Sequence, residues 1–588
     1  MAEPVSRPNI LFIHVDELRY PTHFPAGVQS ADEFLARFMP NLHALLWRGG
    51  VKFSRYYTAA ADCTAGRGTF VTGLYAQQTN LMVIRQGAGS LPPLQPPLQP
   101  EFPTYGKLLQ VIGYDTPYIG KWHLSDSPAS PTSLGADSYL QEYGFQGLTM
   151  PDPIGAVGQG IGATLADLYA PAQPPGDSDI ARQAIEWLAK RADSQDPKPF
   201  CLTVGFVNPH DKQWFWSGTE AKRFREAFQK AGKTPWPNGQ LPSGEQIVHE
   251  ANPPSFGYEM PLNWQPAEDL LKNAASICSV FRSLTDYACG GISDDPKDKG
   301  FPVRPSLMDP ALNTAFAPFT YWTRALDMYT QAMIDVDLQI GQLLENIPES
   351  LLDSMVVIFT SDHGEYASSH GLQGKGITAY EEGMHVPLIV RDFTGKLTSQ
   401  PEIERPQIAS HVDLLPLMMN LATGDNSWRM SGDYQQMYGS RLDLAAILLD
   451  PKLQGRPFAV YSSDEHFIPA PLNYLQAPEH VIGLALPEGK LAVYAHWVPG
   501  TETPVFKITE FYDYTTYRGR LELENTPDSP AAQAAIDLLN TQAIPDELRA
   551  PLPPQYLPVQ AKALAGYWAW VVFLDEASSK IIPKVGAP

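Results

Sequence analysis

Four short runs along the first part of the chain are apolar almost throughout, and polar residues follow each of them. The runs span residues 9–16, 200–207 and 355–362, with a weaker one at 114–119. Their length and β-rich composition predict strands buried on both faces, as in a mostly parallel α/β sheet. Ligands of open α/β sheets bind outside the carboxyl ends of the strands. We therefore expect the polar residues that follow these runs to share one site.

Helical patterns separate the runs. Between residues 318 and 347, apolar positions recur at alternating steps of four and three, which predicts one long helix with an apolar stripe packed on the core. Shorter helices are predicted over residues 104–111 and from an N-cap at Ser178 to Arg191. Together these patterns predict an α/β domain over residues 1–430, with a large, mixed, mostly parallel sheet sandwiched by helices.

The segment 211–310 interrupts this domain without a clear period. It is rich in Pro, Trp and Phe, including Trp214, Phe215, Trp216 and Trp236. Long ordered loops of this kind are usually functional. We interpret the segment as an ordered, irregular insertion that either covers a pocket and shapes substrate choice or lies away from the site.

Residues 431–588 have a different character. Strand-like runs at 458–462, 480–486, 491–497 and 505–512 are separated by Pro and Gly, which predicts a smaller C-terminal domain built on an antiparallel sheet. The aromatic tail at residues 564–574 is too apolar to be exposed. We expect it to pack on its own domain or on another subunit, and we expect a homo-oligomer.

Composition and charge narrow the possible partners. The 588 residues include 42 Lys and Arg against 64 Asp and Glu, a net charge of −22, so the surface repels nucleic acid and anionic lipid. An anion site must then be locally positive. The four cysteines form neither a disulfide framework nor a CxxC pair. The N-terminus lacks a secretory pattern, and the apolar run at 563–574 is shorter than the roughly 20 residues that span a bilayer. We expect a cytoplasmic protein without nucleic acid or membrane partners.

Acidic and imidazole side chains follow two of the predicted strands. Asp16 and Glu17 end the first run, and Asp362 and His363 end the third. Carboxylate oxygens suit a hard ion such as Ca²⁺ or Mg²⁺, whereas an imidazole favours Mn²⁺ or Zn²⁺. Either pair alone is an ordinary acidic strand end. The two pairs together predict a divalent metal site.

Cys63 is the candidate nucleophile. It opens the sequence Cys63-Thr64-Ala65-Gly66-Arg67, and a helix is predicted to continue through residues 69–72. A spacing of four places Arg67 on the same helical face as Cys63, and a helix N-terminus attracts anions. The alternative is a small buried thiol, which fits less well beside the polar Asp62 and Arg67.

Further basic residues follow strand ends or stand in Gly-rich turns. They are Lys121 and His123 after the weaker run, His210 after the second run, and Lys375 between two glycines. A single His or Lys of this kind is usually structural. Four of them at such positions predict a locally positive pocket, which an anion site in this acidic protein needs.

The motif Cys63-x-Ala65-x-Arg67 resembles that of type I sulfatases of the alkaline phosphatase superfamily, in which the cysteine is oxidised to formylglycine. The resemblance covers most of residues 7–425, with a weaker similarity at 510–513. It is carried by blocks at residues 7–16, 63–73, 120–123, 208–211, 361–375, 386–390 and 411–416.

The resemblance implies an alkaline phosphatase-like fold and roles for individual residues. It implies metal ligation by Asp16, Asp362 and His363, with Glu17 where many members have a second Asp. It places Arg67, Lys121, His123, His210 and Lys375 around the sulfate of the substrate. His363 stands where many sulfatases have Asn, and an Asp-His pair resembles the branch of choline-sulfatases and phosphonate monoester hydrolases. The implied cofactors are formylglycine at Cys63 and one divalent ion, with Ca²⁺ the first expectation and Mn²⁺, Mg²⁺ or Zn²⁺ the alternatives.

The expected function is hydrolysis of aryl or small alkyl sulfate monoesters, releasing inorganic sulfate. The resemblance implies that a hydrated formylglycine attacks sulfur with the help of the metal. His210 or Lys375 then protonates the leaving alcohol, and His123 deprotonates the second hydroxyl so that sulfate is expelled. The expected partners are a small sulfate ester and, transiently, the formylglycine-generating enzyme. The alternatives are a phosphonate monoester or phosphodiester hydrolase on the same site, and a binding protein whose Cys63 is never converted.

Overall fold

The structure is a computed structural model that describes residues 7–85, 95–153, 176–194, 198–211, 218–233, 254–286, 291–305, 313–376, 378–464, 480–497 and 504–581. Its strands are, in chain order, β1 (Asn9–Asp16), β2 (Val51–Phe53), β3 (Tyr56–Tyr57), β4 (Pro117–Gly120), β5 (Gln146–Gly147), β6 (Cys201–Pro209), β7 (Val303–Pro305), β8 (Asn313–Ala315), β9 (Met355–Ser361), β10 (Leu388–Asp392), β11 (Ala409–Ser410), β12 (Ala459–Asp464), β13 (His480–Leu486), β14 (Gly489–Trp497) and β15 (Pro504–Asp513).

Helices occupy much of the remaining described chain. The α-helices span Ala31–Phe38, Pro40–Leu42, Cys63–Thr72, Ala76–Thr79, Tyr105–Val111, Asp177–Asp193, Gly218–Ala231, Ala267–Asn273, Ser276–Thr285, Tyr321–Glu345, Glu349–Leu352, Glu381–Met384, Leu414–Thr423, Gly432–Tyr438, Leu444–Leu449, Tyr517–Arg520, Pro530–Leu538 and Leu557–Ile581. Short 3-10 turns cover Ala136–Ser138, Gln141–Tyr143, Ser369–Gly371, His411–Asp413, Ser427–Arg429 and Pro554–Tyr556, and π-helical turns cover His43–Trp47 and Leu539–Leu548.

The central sheet of the described residues has seven strands in the order β2-β10-β9-β1-β6-β4-β5. Strands β9, β1, β6, β4 and β5 run parallel, and β10 is antiparallel to β9 and to β2. The predicted mixed, mostly parallel sheet is therefore confirmed. Parallel strands need both faces covered, and successive residues of β1 supply both: Ile10 and Phe12 enter one apolar core, while Leu11 and Ile13 enter another.

The three predicted helices form, with ends that differ from the prediction by up to three residues. The long helix spans Tyr321–Glu345 and packs its apolar stripe into the second core. The Thr104 side chain accepts the Lys107 N–H and so caps the helix Tyr105–Val111. The predicted N-cap at Ser178 is wrong: the N-cap is Gly176, and the helix begins at Asp177. The Asp177 carboxylate instead accepts the Val207 N–H at 2.6 Å, a contact between distant segments that no local pattern signals.

The insertion 211–310 is not irregular throughout. Where the structure describes it, it contains the helices Gly218–Ala231, Ala267–Asn273 and Ser276–Thr285. Ile277 and Phe281 of the last helix pack in one apolar cluster with Tyr366 and with Tyr494 of β14, which explains why this helix forms. The aromatic residues Trp214, Phe215, Trp216 and Trp236, on which the prediction of an ordered loop rested, lie outside the described residues.

A second sheet of four antiparallel strands, β12-β13-β14-β15, follows the first, as predicted. One buried ion pair joins this C-terminal region to the α/β region, and a second lies within the C-terminal region. Arg456 lies 2.7 Å from Asp413 through its Nε, and its second branch lies 3.0 Å from Glu547. Each of these charges is stabilised by its partner, because removing one would leave the other buried and unpaired.

The aromatic tail belongs to the helix Leu557–Ile581. Tyr567, Trp570 and Val571 pack against a patch that includes Ala65 and Met82 of the larger α/β region. The Tyr567 hydroxyl also donates to Asp464 of β12, so the tail packs on its own C-terminal region as expected and on the α/β region as well. Packing on another subunit stays a prediction. Ala65 belongs to the helix Cys63–Thr72, so the tail lies behind the candidate nucleophile. No helix among the described residues combines the length and apolar character needed to cross a membrane.

Candidate active site

The carboxyl ends of four neighbouring strands bring the predicted residues to one edge of the sheet. Asp16 ends β1, and Asp362 follows β9. Lys121 follows β4, and His210 follows β6. These strands are adjacent in the sheet, so their ends meet as expected for an α/β fold.

The helix Cys63–Thr72 lies against this edge. Cys63 is its first residue, Asp62 is its N-cap, and every residue of the helix is buried. Gly66 permits the close approach, because a Cβ there would lie 2.6 Å from the carbonyl oxygen of Asp362. The glycine in the fourth position of the motif is therefore a packing requirement that the sequence pattern alone did not reveal.

Arg67 connects three of the strand ends. Its Nε lies 2.8 Å from Oδ2 of Asp362, one terminal nitrogen lies 3.0 Å from Oδ2 of Asp16, and the other donates to the carbonyl of Lys121 at 2.6 Å. All these side chains are fully buried. A planar guanidinium suits such forked contacts, which a lysine cannot reproduce.

Lys121 pairs with the same carboxylate. Its Nζ lies 2.6 Å from Oδ2 of Asp16. Burial by itself would raise the pKa of Asp16, but the charges of Lys121 and Arg67 outweigh it and hold that pKa well below its usual value. Asp16 is therefore a carboxylate at neutral pH.

Cys63 points at the acidic cluster. Its Sγ lies 3.3 Å from Nε2 of His363 and 3.5 Å from Oδ1 of Asp16. Burial, reinforced by the Asp16 charge, raises the pKa of the thiol to about 12. The unmodified side chain is then a neutral thiol at neutral pH, and a thiol is a weak nucleophile compared with a thiolate.

The donor set at His363 fits a divalent cation. Its Nδ1 lies 2.9 Å from the carbonyl oxygen of Gly364, which can only accept, so Nδ1 carries the proton and Nε2 the lone pair. That lone pair faces Oδ1 of Asp16 at 3.5 Å and Oδ1 of Asp362 at 3.6 Å. Burial lowers the pKa of His363, which keeps the ring neutral. A lone pair and two carboxylate oxygens in one buried space repel each other unless a cation lies between them, and both donor types bind divalent metals.

Glu17 faces the other side of the same space. Its Oε2 lies 2.8 Å from Nζ of Lys375 and 3.9 Å from Nε2 of His210. It groups with Asp16 and His210, whereas Asp16, Cys63, Asp362 and His363 form an overlapping group. Ligation by Glu17 remains a prediction.

The acidic groups of the site are paired with its basic groups. The carboxylates of Asp16, Glu17 and Asp362 face the cations Arg67, Lys121 and Lys375. A divalent cation would make this pocket positive although the whole chain carries −22. That excess is what an anionic substrate requires.

His123 lies beside the cluster, on the loop that follows β4. Its Nε2 contacts the carbonyl oxygen of Arg85, and its backbone N–H donates to Asp152 at 2.7 Å. Asp152 also accepts the Trp122 N–H at 2.9 Å and so holds the loop. Asp152 was not among the predicted residues, because a lone Asp between two prolines carries no signal of its own. All ten predicted site residues therefore lie in or beside one cluster.

The fold thus brings a cation-fitting cluster, a cysteine-led helix and convergent basic groups to one edge of the sheet. The chain belongs to the sulfatase family, whose members are sulfuric ester hydrolases: the family profile named Sulfatase matches residues 8–424.

Two sulfatases and one solved structure are similar to this chain at 17–24% sequence identity. An uncharacterized sulfatase, YidJ of Escherichia coli K12, is 23% identical over 434 residues, which cover 71% of this chain and 68% of that protein. A choline-sulfatase of Rhizobium meliloti is 24% identical over 397 residues, or 65% of this chain and 62% of that protein. The phosphonate monoester hydrolase SpPMH from Silicibacter pomeroyi shares the fold, with a TM-score of 0.59, 17% identity and coverage of 92% and 96% of the two chains.

Proposed function

We propose that this protein hydrolyses aryl or small alkyl sulfate monoesters through a formylglycine made from Cys63. One observation carries the proposal: the Cys63 side chain lies 3.3 Å from His363 and 3.5 Å from Asp16, inside a buried ring of basic groups. The neutral thiol is a poor nucleophile there. Conversion to an aldehyde, which adds water, would supply two hydroxyl groups at the same position.

Asp16, Asp362 and His363 would hold the metal, with Glu17 as the fourth predicted ligand. When bound, the ion supplies Lewis acidity and positive charge beside residue 63. Ca²⁺ is the first candidate because carboxylates dominate the donor set, and Mn²⁺, Mg²⁺ and Zn²⁺ are the alternatives.

The basic residues would bind and orient the sulfate. Arg67 fixes the two carboxylates, while Lys121 and Lys375 direct positive charge to the oxygens on sulfur. Lys375 is the better supported proton donor to the leaving oxygen. Burial opposes its charge, but the Glu17 and Asp16 carboxylates raise its pKa well above the usual value, so it carries a proton at neutral pH.

His210 is neutral at the same pH. Burial and the nearby Lys375 charge lower its pKa to about 3. Its Nδ1 lies 3.0 Å from Asp211, which orients the ring. With its single proton on Nδ1, the neutral ring has a lone pair on Nε2 and cannot donate to the bridging oxygen. We propose that His210 lines the sulfate pocket while Lys375 protonates the leaving oxygen, and that His123 is the base that removes a proton from the second hydroxyl.

The test combines mass measurement, metal analysis and turnover. The protein is produced together with a formylglycine-generating enzyme, and the peptide containing residue 63 is weighed. We expect an aldehyde at position 63, bound divalent metal and release of sulfate from 4-nitrophenyl sulfate over many turnovers. Cys63→Ser should lose multiple turnover, because an alcohol without a second hydroxyl cannot expel sulfate. Retained turnover by that variant would refute the mechanism. If Cys63 stays unconverted in cells that produce the formylglycine-generating enzyme, the binding-protein alternative is favoured.

A phosphonate monoester or phosphodiester hydrolase is the second candidate. His363 in the cation cluster and the fold similarity to SpPMH support it. Relative kcat/KM values on 4-nitrophenyl sulfate and phenyl 4-nitrophenyl phosphonate decide between the two. The modifying enzyme as a partner, the homo-oligomer and the cytoplasmic location stay predictions from the sequence.

A further inference from the structure

The tautomer of His123 is set by a backbone carbonyl. Its Nε2 contacts the carbonyl oxygen of Arg85, and a carbonyl oxygen can only accept a hydrogen bond. Nε2 therefore carries the proton. Burial, followed by the charges of Lys121 and Arg67, lowers the pKa of the ring well below its usual value, so the imidazole is neutral and Nδ1 holds the lone pair.

Nδ1 of His123 is buried and has no hydrogen-bond partner among the described residues. The residue is 5% exposed, and the charges that act on its ring are those of Lys121, Arg67 and Asp16, the groups around residue 63. A buried acceptor without a donor is costly and uncommon in folded proteins. It is suited to a donor that arrives with the reaction.

Thr64 holds in place both residues of the contact between His123 and the Arg85 carbonyl. Its hydroxyl donates to the carbonyl of His123 at 3.0 Å and accepts the backbone N–H of Arg85 at 2.9 Å. Thr64 is fully buried and directly follows Cys63. One hydroxyl thus fixes the base, the carbonyl that sets its tautomer, and the first turn of the nucleophile's helix relative to one another.

The segment that carries the Arg85 carbonyl is tied down from the other side as well. Oε1 of Gln95 accepts the N–H groups of Met82 at 3.0 Å and Val83 at 2.7 Å. The Arg85 guanidinium pairs with Asp126 at 2.5 Å. The Thr64 hydroxyl therefore positions the Arg85 carbonyl relative to His123. Gln95 and Asp126 fix the rest of the segment from Met82 to Arg85.

We propose that Thr64 is a positioning residue that keeps His123 in the Nε2–H tautomer and thereby makes Nδ1 the basic atom of the reaction. This inference rests on the proposed function. In the sulfate-releasing step, Nδ1 takes the proton of the free hydroxyl on residue 63. The oxygen's electron pair forms the C=O bond of the aldehyde, and the bond from that carbon to the sulfate oxygen breaks. Sulfate leaves with the electron pair of the broken carbon–oxygen bond, so no oxidant or reductant is needed.

A matched pair of variants tests the proposal. Thr64→Val keeps the shape of the side chain and removes the hydroxyl, and Thr64→Ser keeps the hydroxyl. The first measurement needs no activity: ring-nitrogen spectra of ¹⁵N-histidine-labelled protein, with His123 assigned through His123→Asn. We expect protonated Nε2 and unprotonated Nδ1 in the wild type and in Thr64→Ser, and a mixture of tautomers in Thr64→Val. A wild-type His123 protonated on Nδ1, or an unchanged tautomer in Thr64→Val, would overturn the proposal.

The second measurement separates the two half-reactions. Slower sulfate release in Thr64→Val should lower kcat by about 10-fold and lower KM by the same factor, because kcat/KM reports only the steps up to alcohol release. Thr64→Ser should restore both constants. A fall in kcat/KM as large as that in kcat would indicate general damage and contradict the assigned role. Each rate is divided by the fraction of protein that carries formylglycine at position 63, as determined by mass spectrometry. An inactive, unconverted wild type would refute the proposed function, while the spectra would still decide the tautomer.

Discussion

Nε of Arg67 lies 2.8 Å from Oδ2 of Asp362, and both side chains are fully buried. Through its other nitrogens the same guanidinium reaches Asp16 and the Lys121 carbonyl. A residue four positions after the nucleophile thus fixes the distance between two strand ends, which is the span across which a metal would bind.

Arg67→Lys should impair both metal binding and turnover. A single ammonium cannot make three directed contacts, so one buried carboxylate loses its donor. We expect kcat to fall by about 100-fold or more, as when a fixed donor is removed from an active site. Steady-state kinetics and metal content measure the effect. Arg182→Lys, at an exposed arginine on the helix Asp177–Asp193, serves as the control, and normal metal content with normal kcat in Arg67→Lys would contradict the clamp.

Metal removal should reduce both activity and thermal stability. An ion bound only by the folded chain contributes about 2.7 kcal/mol to its stability at a hundred times its dissociation constant. Chelation should therefore lower the unfolding temperature, and added Ca²⁺ should restore it. Cys63→Ala, which keeps the carboxylate and imidazole ligands, should show the same shift without activity. An unchanged unfolding temperature after chelation would argue against the site.

His363→Asn should change which metal is preferred. An amide oxygen suits Ca²⁺, whereas an imidazole nitrogen favours Mn²⁺ and Zn²⁺. We expect the variant to lose affinity for Zn²⁺ and Mn²⁺ more than for Ca²⁺, measured by calorimetry on the chelated protein. Equal losses for all ions would show that His363 does not select the metal.

Asp62 should make stability fall as pH rises between about 4 and 6. Burial raises its pKa in the folded protein to about 6, and an unfolded Asp titrates near 3.9. The folded state then binds the proton more tightly, so its contribution is fully present below about pH 4 and is lost as pH rises through about 6. A shift of about two pKa units corresponds to a loss of ~3 kcal/mol.

Asp62→Asn removes this titration and keeps a good N-cap residue. The gap in unfolding temperature between the variant and the wild type should widen in favour of the variant from pH 4.5 to pH 7. A constant gap across that range would contradict the raised pKa.

The C-terminal helix should stabilise the α/β region on which it lies. Trp570 is 9% exposed and packs on the patch that contains Ala65, whereas Val572 on the same helix is 51% exposed. We expect Trp570→Ala to destabilise the protein by about 3 kcal/mol or more and Val572→Ala to have little effect. Thermal unfolding of both variants tests this, and equal effects would contradict the packing.

Local patterns were sufficient for much of the fold. The run 9–16 became β1 with the same bounds, and the helix predicted over residues 104–111 forms at Tyr105–Val111, because apolar runs and caps act over a few residues. The N-cap at Ser178 was wrong, since the hydrogen bonds from Val207 and Asn208 to Asp177 decide where that helix begins. The helices Ala267–Asn273 and Ser276–Thr285 in the insertion were missed because residues that bury them come from β14 and the site loops.

The sequence by itself determined the chemical identities at the site: a cysteine motif, acidic pairs after two apolar runs, and basic residues at turns. Only the tertiary structure decided how these groups meet. It placed Gly66 against Asp362, turned the His363 lone pair towards two carboxylates, and brought the Arg85 carbonyl to His123. Side-chain identity is local information, whereas protonation, tautomer and metal fit depend on atoms contributed by segments far apart in the chain.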